Sequence, residues 1–206
     1  MIKLGRNKKY DGYEAYQYLE PGRDYKAFKL REAVIDEWWE PVELSKTEEE
    51  RFEEIMEKSI VMDLHAHPDI SAEDPYEIRE MDQEGRNFIA YKALSESGLD
   101  CVFDNMMDGS SFVNTKHGWD WNSTLHDLGM RLCDIAHQDM IIHCKRTEDI
   151  EYARVNGKVA WVAVIESASC IENEVDRLDV LYGLGVRSIG INYSESNMLG
   201  SGLKEH

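Results

Sequence analysis

The segment Ile60–Asp69, IVMDLHAHPD, joins a short apolar run to two histidines that are one residue apart. In a β-strand, side chains at positions i and i+2 point to the same side. His65 and His67 are therefore predicted to converge where a buried strand meets solvent. Imidazole nitrogens that converge in this way are suited to hold a metal ion such as zinc.

A second apolar run, Val159–Glu166 (VAWVAVIE), lies much later in the chain and also ends in a possible metal ligand, the carboxylate of Glu166. In a (β/α) barrel, the functional groups lie at the carboxyl ends of parallel strands. Two apolar strands that each end in a ligand therefore predict a barrel with a metal site at its mouth.

The rest of the chain alternates between strand and helix patterns. Apolar runs predict further strands at 99–103 and 186–191 and a weaker one at 140–144, and periodic segments predict helices near 82–97, 125–135, 147–155 and 172–184. This alternation is typical of a parallel sheet with right-handed crossovers. A closed barrel needs eight strands, whereas four clear strands and one weaker strand are present. The predicted fold is therefore α/β of the TIM-barrel type, with only the first half of the barrel.

Residues 1–58 differ from the remainder. They are rich in aromatic side chains, and Ser45–Glu48 has the pattern of a capping box that begins a helix leading into the first strand. We therefore expect an aromatic and helical N-terminal extension over 1–58 and the barrel portion over 59–206.

Composition excludes several classes of partner. The formal net charge is -18 and the pI is near 4.7, so nucleic acid and anionic membranes would be repelled. The four cysteines are widely spaced, which argues against a zinc ribbon and against a disulfide framework. With no signal-peptide pattern and no apolar run of membrane-spanning length, these features predict a cytoplasmic protein with free thiols.

Taken in order, these motifs resemble the membrane (renal) dipeptidase family, peptidase family M19, among the amidohydrolase-like metal-dependent hydrolases. Asp63–His67 (DLHAH) matches the family's Asp-x-His-x-Asp after strand one, and Gly157–Glu166 matches the strand that ends in its metal-bridging glutamate. Leu181–Ile189 resembles the following helix-to-strand turn, and Asn192–Asn197 resembles the loop after it. The resemblance covers residues 59–206, which correspond to the first half of the family's fold.

The resemblance implies a zinc-dependent dipeptidase in which a hydroxide that bridges two ions attacks the peptide carbonyl. His65 and His67 would be metal ligands, and Glu166 would be both a bridging ligand and a catalytic residue. The family's second half, which provides two further ligand histidines and a late aspartate, would come from a second chain or a C-terminal half. A dipeptide substrate and a homo-oligomer are the other partners implied.

Two positions depart from the family pattern. His67 stands where many members have aspartate, so the site would lose one negative charge while keeping a good zinc ligand. Tyr193 stands where mammalian members have a histidine associated with the substrate carbonyl. Tyr193 and Asn197 are the candidate substrate contacts, and Asp63 is the candidate carboxylate that orients a ligand histidine.

Alternatives remain open at this stage. The histidine pair could be hydrogen-bonded residues that cap a strand, and Glu166 could form a salt bridge at the sheet edge. The whole chain could instead be an amidohydrolase acting on cyclic amides, or a catalytically silent half-barrel interaction subunit. Asp104, Asn105 and Asp108 follow another predicted strand and are expected to line the same cleft.

Overall fold

The computed structural model describes residues 8–32, 42–106, 120–194 and 196–203. Within these ranges there are seven strands: β1 (Met62–Ala66), β2 (Asp69–Ile70), β3 (Phe88–Ile89), β4 (Cys101–Met106), β5 (Ile141–His143), β6 (Val159–Ile165) and β7 (Val186–Ile189). The α-helices are α1 (Lys46–Lys58), α2 (Pro75–Gln83), α3 (Tyr91–Glu96), α4 (Trp121–Ile135), α5 (Thr147–Val155) and α6 (Arg177–Leu184), and a 3-10 turn covers Ala168–Ile171.

Five of the strands form one parallel sheet in the order β1-β4-β6-β5, and β7 also pairs with β6. Because β4 occupies one edge of β6, the other two partners share the opposite edge. β5 pairs near the start of β6, where Ile141 lies opposite Val159, and β7 pairs near its end, where Ile189 lies opposite Ile165. These are the five strands predicted from the sequence, so the α/β class and the partial barrel arrangement are confirmed.

The predicted helix at 82–97 is wrong, because the segment contains parts of two helices separated by β3. Asp74 accepts a hydrogen bond from the backbone of Tyr76, and Pro75 occupies the first helical position, so α2 begins earlier than expected. Gly85 then adopts a φ of 65°, which ends the helical path. Strand β3 follows and pairs antiparallel with β2.

Other boundaries are closer to the prediction. Helix α5 covers the predicted 147–155, and α6 ends before Gly185, which has a φ of 99°. The helix predicted from 172 begins only at Arg177, because Glu172 ends the 3-10 turn with a φ of 53°, which is incompatible with a right-handed helix.

The two faces of the sheet pack against different helices. On the face that we call the α4 face, Leu128 and Ile135 of α4 pack in one cluster with Val102, Trp161 and Ile165. The opposite face, which we call the α5 face, clusters with α5 through Ala153 and Ile150; its strand residues are Cys101, Ala160, Val162 and Val164. All seven residues of β6 are buried, as expected for a central parallel strand.

The aromatic N-terminal segment is attached to α4 by a buried carboxylate. Asp134 accepts hydrogen bonds from the hydroxyls of Tyr13 and Tyr91, each at 2.7 Å, and from the backbone N–H of Tyr16 at 2.8 Å. Burial raises the pKa of both hydroxyls, and Asp134 adds to the effect, so they remain protonated donors. Residues 8–32 therefore pack against the barrel portion, while the division of the chain at residue 58 stays a prediction.

Helix α1 begins as predicted. The Ser45 side chain accepts from the Glu48 backbone, and the Glu48 carboxylate accepts from the Ser45 backbone in return. Among the described residues, no helix combines the length and the apolar character that crossing a membrane requires.

Replacing Asp134 with alanine is expected to lower the free energy of unfolding by about 3 kcal/mol, because buried donors are left without an acceptor. Urea titration followed by circular dichroism measures this change. The exposed Asp139→Ala variant is the control and should unfold at the wild-type midpoint. Equal midpoints for all three proteins would show that Asp134 does not hold the N-terminal segment in place.

Candidate metal centre

Three possible metal ligands meet at the carboxyl edge of the parallel sheet. His65 lies in β1, His67 follows its last residue, and Glu166 follows the last residue of β6. Because β1 and β6 both pair with β4 in parallel, the carboxyl ends of the two strands lie at the same edge. The candidate ligand atoms of the three side chains all lie within 4.8 Å of one another.

The cluster combines exposed imidazoles with a buried carboxylate. Nε2 of His65 is 3.4 Å from Oε1 of Glu166, and the side chain of Glu166 is only 7% exposed, compared with 61% for His65. The rings of His65 and His67 are nearly perpendicular, with centroids 5.4 Å apart. Zinc bonds of about 2.1 Å place ligand atoms about 3.4 Å apart around one ion. The 3.4 Å between His65 and Glu166 already matches that spacing.

The donor set is compatible with a zinc ion. Two imidazole nitrogens and one carboxylate oxygen are common zinc ligands. A simple ion pair would account for His65 and Glu166, but it does not explain why His67 offers a third donor atom to the same point. A pair of histidines that only caps a strand would not explain why the buried carboxylate of Glu166 lies beside both of them.

The strand that carries the histidines contains an irregularity. Asp63 pairs with Val102 of β4 in the regular parallel register. Ala66 pairs with Asp104, so three residue steps on β1 span two steps on β4. The one extra residue between Asp63 and Ala66 is a β-bulge, which reverses the alternation of side chains beyond it.

The reversal places both histidines on the face that leads to Glu166. Paired residues of parallel strands point to the same side, so Ala66 shares the α4 face with Asp104. His65 and His67, one position to either side of Ala66, therefore point to the α5 face. Glu166 continues the same face, two residues beyond Val164 of β6. Without the bulge, the histidines would point towards α4.

The other predicted site residues have different surroundings. Oδ1 of Asp63 accepts a hydrogen bond of 3.0 Å from the backbone N–H of His65, so its bond is to the main chain. The amide of Asn197 bonds within its own loop, donating to the carbonyl of Ile191 and accepting from the N–H of Leu199. Tyr193 is 45% exposed on the same loop. The substrate-binding roles of Tyr193 and Asn197 stay predictions.

The expectation that Asp104 lines the cleft is wrong. Asp104 is completely buried and points to the α4 face, where it accepts hydrogen bonds from Arg131 at 2.6 Å and from the indole of Trp161 at 2.8 Å. Asn105 is also buried, and its amide donates to the carbonyl of Phe103. Asp108 lies outside the described residues.

Sequence reasoning missed Gly190, which follows β7 and contacts the backbone of the candidate ligand. The N–H of Gly190 donates to the carbonyl of Ile165 at 2.8 Å. A Cβ atom added to Gly190 would lie 2.1 Å from the backbone oxygen of Glu166, which is far inside van der Waals contact. A side chain at this position would displace Glu166, and the only sequence signal was a glycine directly after an apolar strand.

Comparison with known proteins identifies the family. The chain matches the family Membrane dipeptidase (Peptidase family M19) over residues 49–206. It therefore belongs to this family, as the motifs around His65 and Glu166 predicted.

The chain is also similar to individual proteins, among them one relative and one solved structure. An uncharacterised protein in the PQQ-III 3′ region of Acinetobacter calcoaceticus is 36% identical over 127 residues, which cover 54% of this chain and 40% of the relative. The crystal structure of an amidohydrolase from Pseudomonas aeruginosa matches 75% of this chain and 40% of its own, with a TM-score of 0.53 and 21% identity. The second similarity concerns the fold alone, and the chain spans about two fifths of the length of each protein.

Replacing Gly190 with alanine is expected to weaken zinc binding by about tenfold, because the added methyl group displaces the Glu166 backbone; changes around metal ligands have effects of this size. Calorimetric titration with zinc measures the affinity. Gly129→Ala is the matched control, since a Cβ there meets no atom within 4 Å. Unchanged affinity in Gly190→Ala would contradict the assigned role of Gly190.

Proposed function

We propose that this chain provides the first part of the zinc centre of a dipeptidase, with His65, His67 and Glu166 as metal ligands. The observation that carries the proposal is the convergence of these three side chains at the carboxyl edge of a parallel sheet. Membership of the dipeptidase family supports the same reaction class.

Each side chain has a defined part in the proposed centre. The imidazoles of His65 and His67 would hold one ion through nitrogen donors, which add no negative charge to the centre. Glu166 has two carboxylate oxygens, so it can contact a separate ion with each of them. Its burial excludes water, which strengthens its electrostatic interaction with cations. When bound, zinc acidifies water to near pKa 7 and polarises the carbonyl of the substrate.

The proposed substrate is a dipeptide held beside this edge of the sheet. Tyr193 is exposed on the loop after β7, so its phenol is available to donate a hydrogen bond to the scissile carbonyl. Asn197 fixes the conformation of that loop through its bonds to Ile191 and Leu199. In this proposal Tyr193 contacts the substrate directly, and Asn197 contributes both to the loop and to one end of the dipeptide.

A further polypeptide is proposed to complete the barrel, either as a second chain or as a C-terminal half. Strands on both sides of the sheet leave apolar side chains exposed: Met62 is 46% and Leu64 is 65% exposed on β1, and Ile191, just beyond β7, is 61% exposed. Exposed apolar side chains on these strands support an interface with further strands. A homo-oligomer of the completed protein is part of the same proposal.

Zinc should bind to this chain through the proposed ligands, and Glu166→Gln should weaken binding by about tenfold or more, because the substitution removes the only anionic donor of the cluster. Equilibrium dialysis with metal analysis measures stoichiometry and affinity. Glu148→Gln, an exposed position on α5, is the matched control and should bind zinc like the wild type. Equal affinity in both variants would contradict the assignment of Glu166.

Activity should appear when the zinc-loaded chain is combined with a polypeptide that carries the remaining strands. We expect release of free amino acids from dipeptides and loss of that activity after treatment with a chelator. Hydrolysis of cyclic amides in place of dipeptides would favour another amidohydrolase reaction. A metal-loaded complex that cleaves neither substrate would favour the silent interaction subunit.

A further inference from the structure

The β-bulge in β1 leaves the backbone N–H of His65 in need of a hydrogen-bond acceptor. A bulge disrupts the hydrogen-bond ladder and leaves backbone groups without their regular strand partner. Here the extra residue lies between Asp63 and Ala66, so the main chain of His65 is inside the irregular segment. Its N–H therefore requires an acceptor other than the neighbouring strand.

The side chain of Asp63 supplies that acceptor. Its Oδ1 accepts from the N–H of His65 at 3.0 Å, across a spacing of two residues. Aspartate side chains commonly bond the main chain two residues ahead and thereby stabilise a turn in place of an extended strand. The same contact that satisfies the N–H of His65 therefore also bends β1 at the bulge.

Packing alone does not fix the histidine backbone. The side chain of His65 is 61% exposed, and Leu64 beside it is 65% exposed. Few apolar contacts of these two side chains are therefore available to stabilise the backbone conformation of β1 at the bulge. The hydrogen bond that the N–H of His65 donates to Asp63 is a specific interaction that can hold the segment in this conformation.

We propose that Asp63 is a positioning residue whose carboxylate holds the backbone of His65 in the bulge, so that His65 and His67 face Glu166. Its relevance to metal binding rests on the proposed function. The role differs from orientation of an imidazole ring, because the group that Asp63 holds is a main-chain N–H. The bond also requires only an acceptor oxygen, and a negative charge is not essential to it.

The chain contains a matched control for this interaction. Asp74 accepts a hydrogen bond of 2.9 Å from the N–H of Tyr76, with the same spacing of two residues, at the beginning of α2. Asp74→Ala therefore removes the same kind of bond at a position outside the metal-ligand cluster. Asp63→Asn is the second comparison, because asparagine keeps the acceptor oxygen and loses the charge.

Two measurements test the proposal with Asp63→Ala, Asp63→Asn and Asp74→Ala. The first is amide hydrogen exchange at His65 by NMR without metal. The second is zinc affinity by calorimetric titration. In Asp63→Ala we expect exchange at His65 to accelerate by about tenfold and zinc affinity to fall by about tenfold. Asp63→Asn and Asp74→Ala should both match the wild type in these two measurements.

Two results would overturn the proposal. If the amide of His65 exchanges equally fast in the wild type and in Asp63→Ala, the carboxylate does not hold that N–H. If Asp63→Asn is impaired as much as Asp63→Ala, the charge matters and the acceptor oxygen does not. The wild type could bind no zinc while exchange at His65 is still faster in Asp63→Ala than in the other proteins. That result would support the role of Asp63 and refute the proposed zinc centre.

Discussion

The pairing of β6 with three other strands is the interaction on which the rest of the structure depends. One edge of β6 is occupied by β4, and β5 and β7 share the other. Every residue of the strand is buried, and its alternating side chains contribute to both faces of the sheet. Helices α4 and α5 therefore both pack in clusters that contain side chains of β6. The position of Glu166 follows directly, because it is the first residue beyond this fixed strand.

The candidate metal centre depends on two backbone features as well as on the ligands. The bulge in β1 turns the histidines to the face of Glu166, and the absence of a side chain at Gly190 leaves room for the backbone of Glu166. Both features act on the main chain and not on the ligand atoms. The backbone path of β1 thus sets the direction of the exposed imidazoles, whereas burial restricts the carboxylate of Glu166.

Much of the fold could be predicted from local sequence patterns. The apolar runs identified the five parallel strands, the capping box identified α1, and periodicity identified α4, because each pattern reflects a local preference or the burial of one face. The split between α2 and α3 was missed, since the apolar residues Phe88 and Ile89 fit a helical pattern equally well, and their burial depends on packing from other segments. The convergence of the candidate ligands was predictable because His65 and Glu166 each lie at the end of an apolar run. The bulge and the contact of Gly190 with Glu166 were not, because both arise from the register between strands distant in sequence.

The central claim is that two imidazoles and one carboxylate hold a common ion at the edge of this sheet. X-ray absorption spectroscopy of the zinc-loaded chain tests it most directly, since the spectrum reports the atoms bound to the metal. We expect a nitrogen and oxygen shell at about 2.0–2.2 Å with the outer scattering of two imidazole rings. A sulfur shell at about 2.3 Å, which would indicate cysteine ligands, or a spectrum without imidazole scattering would contradict it.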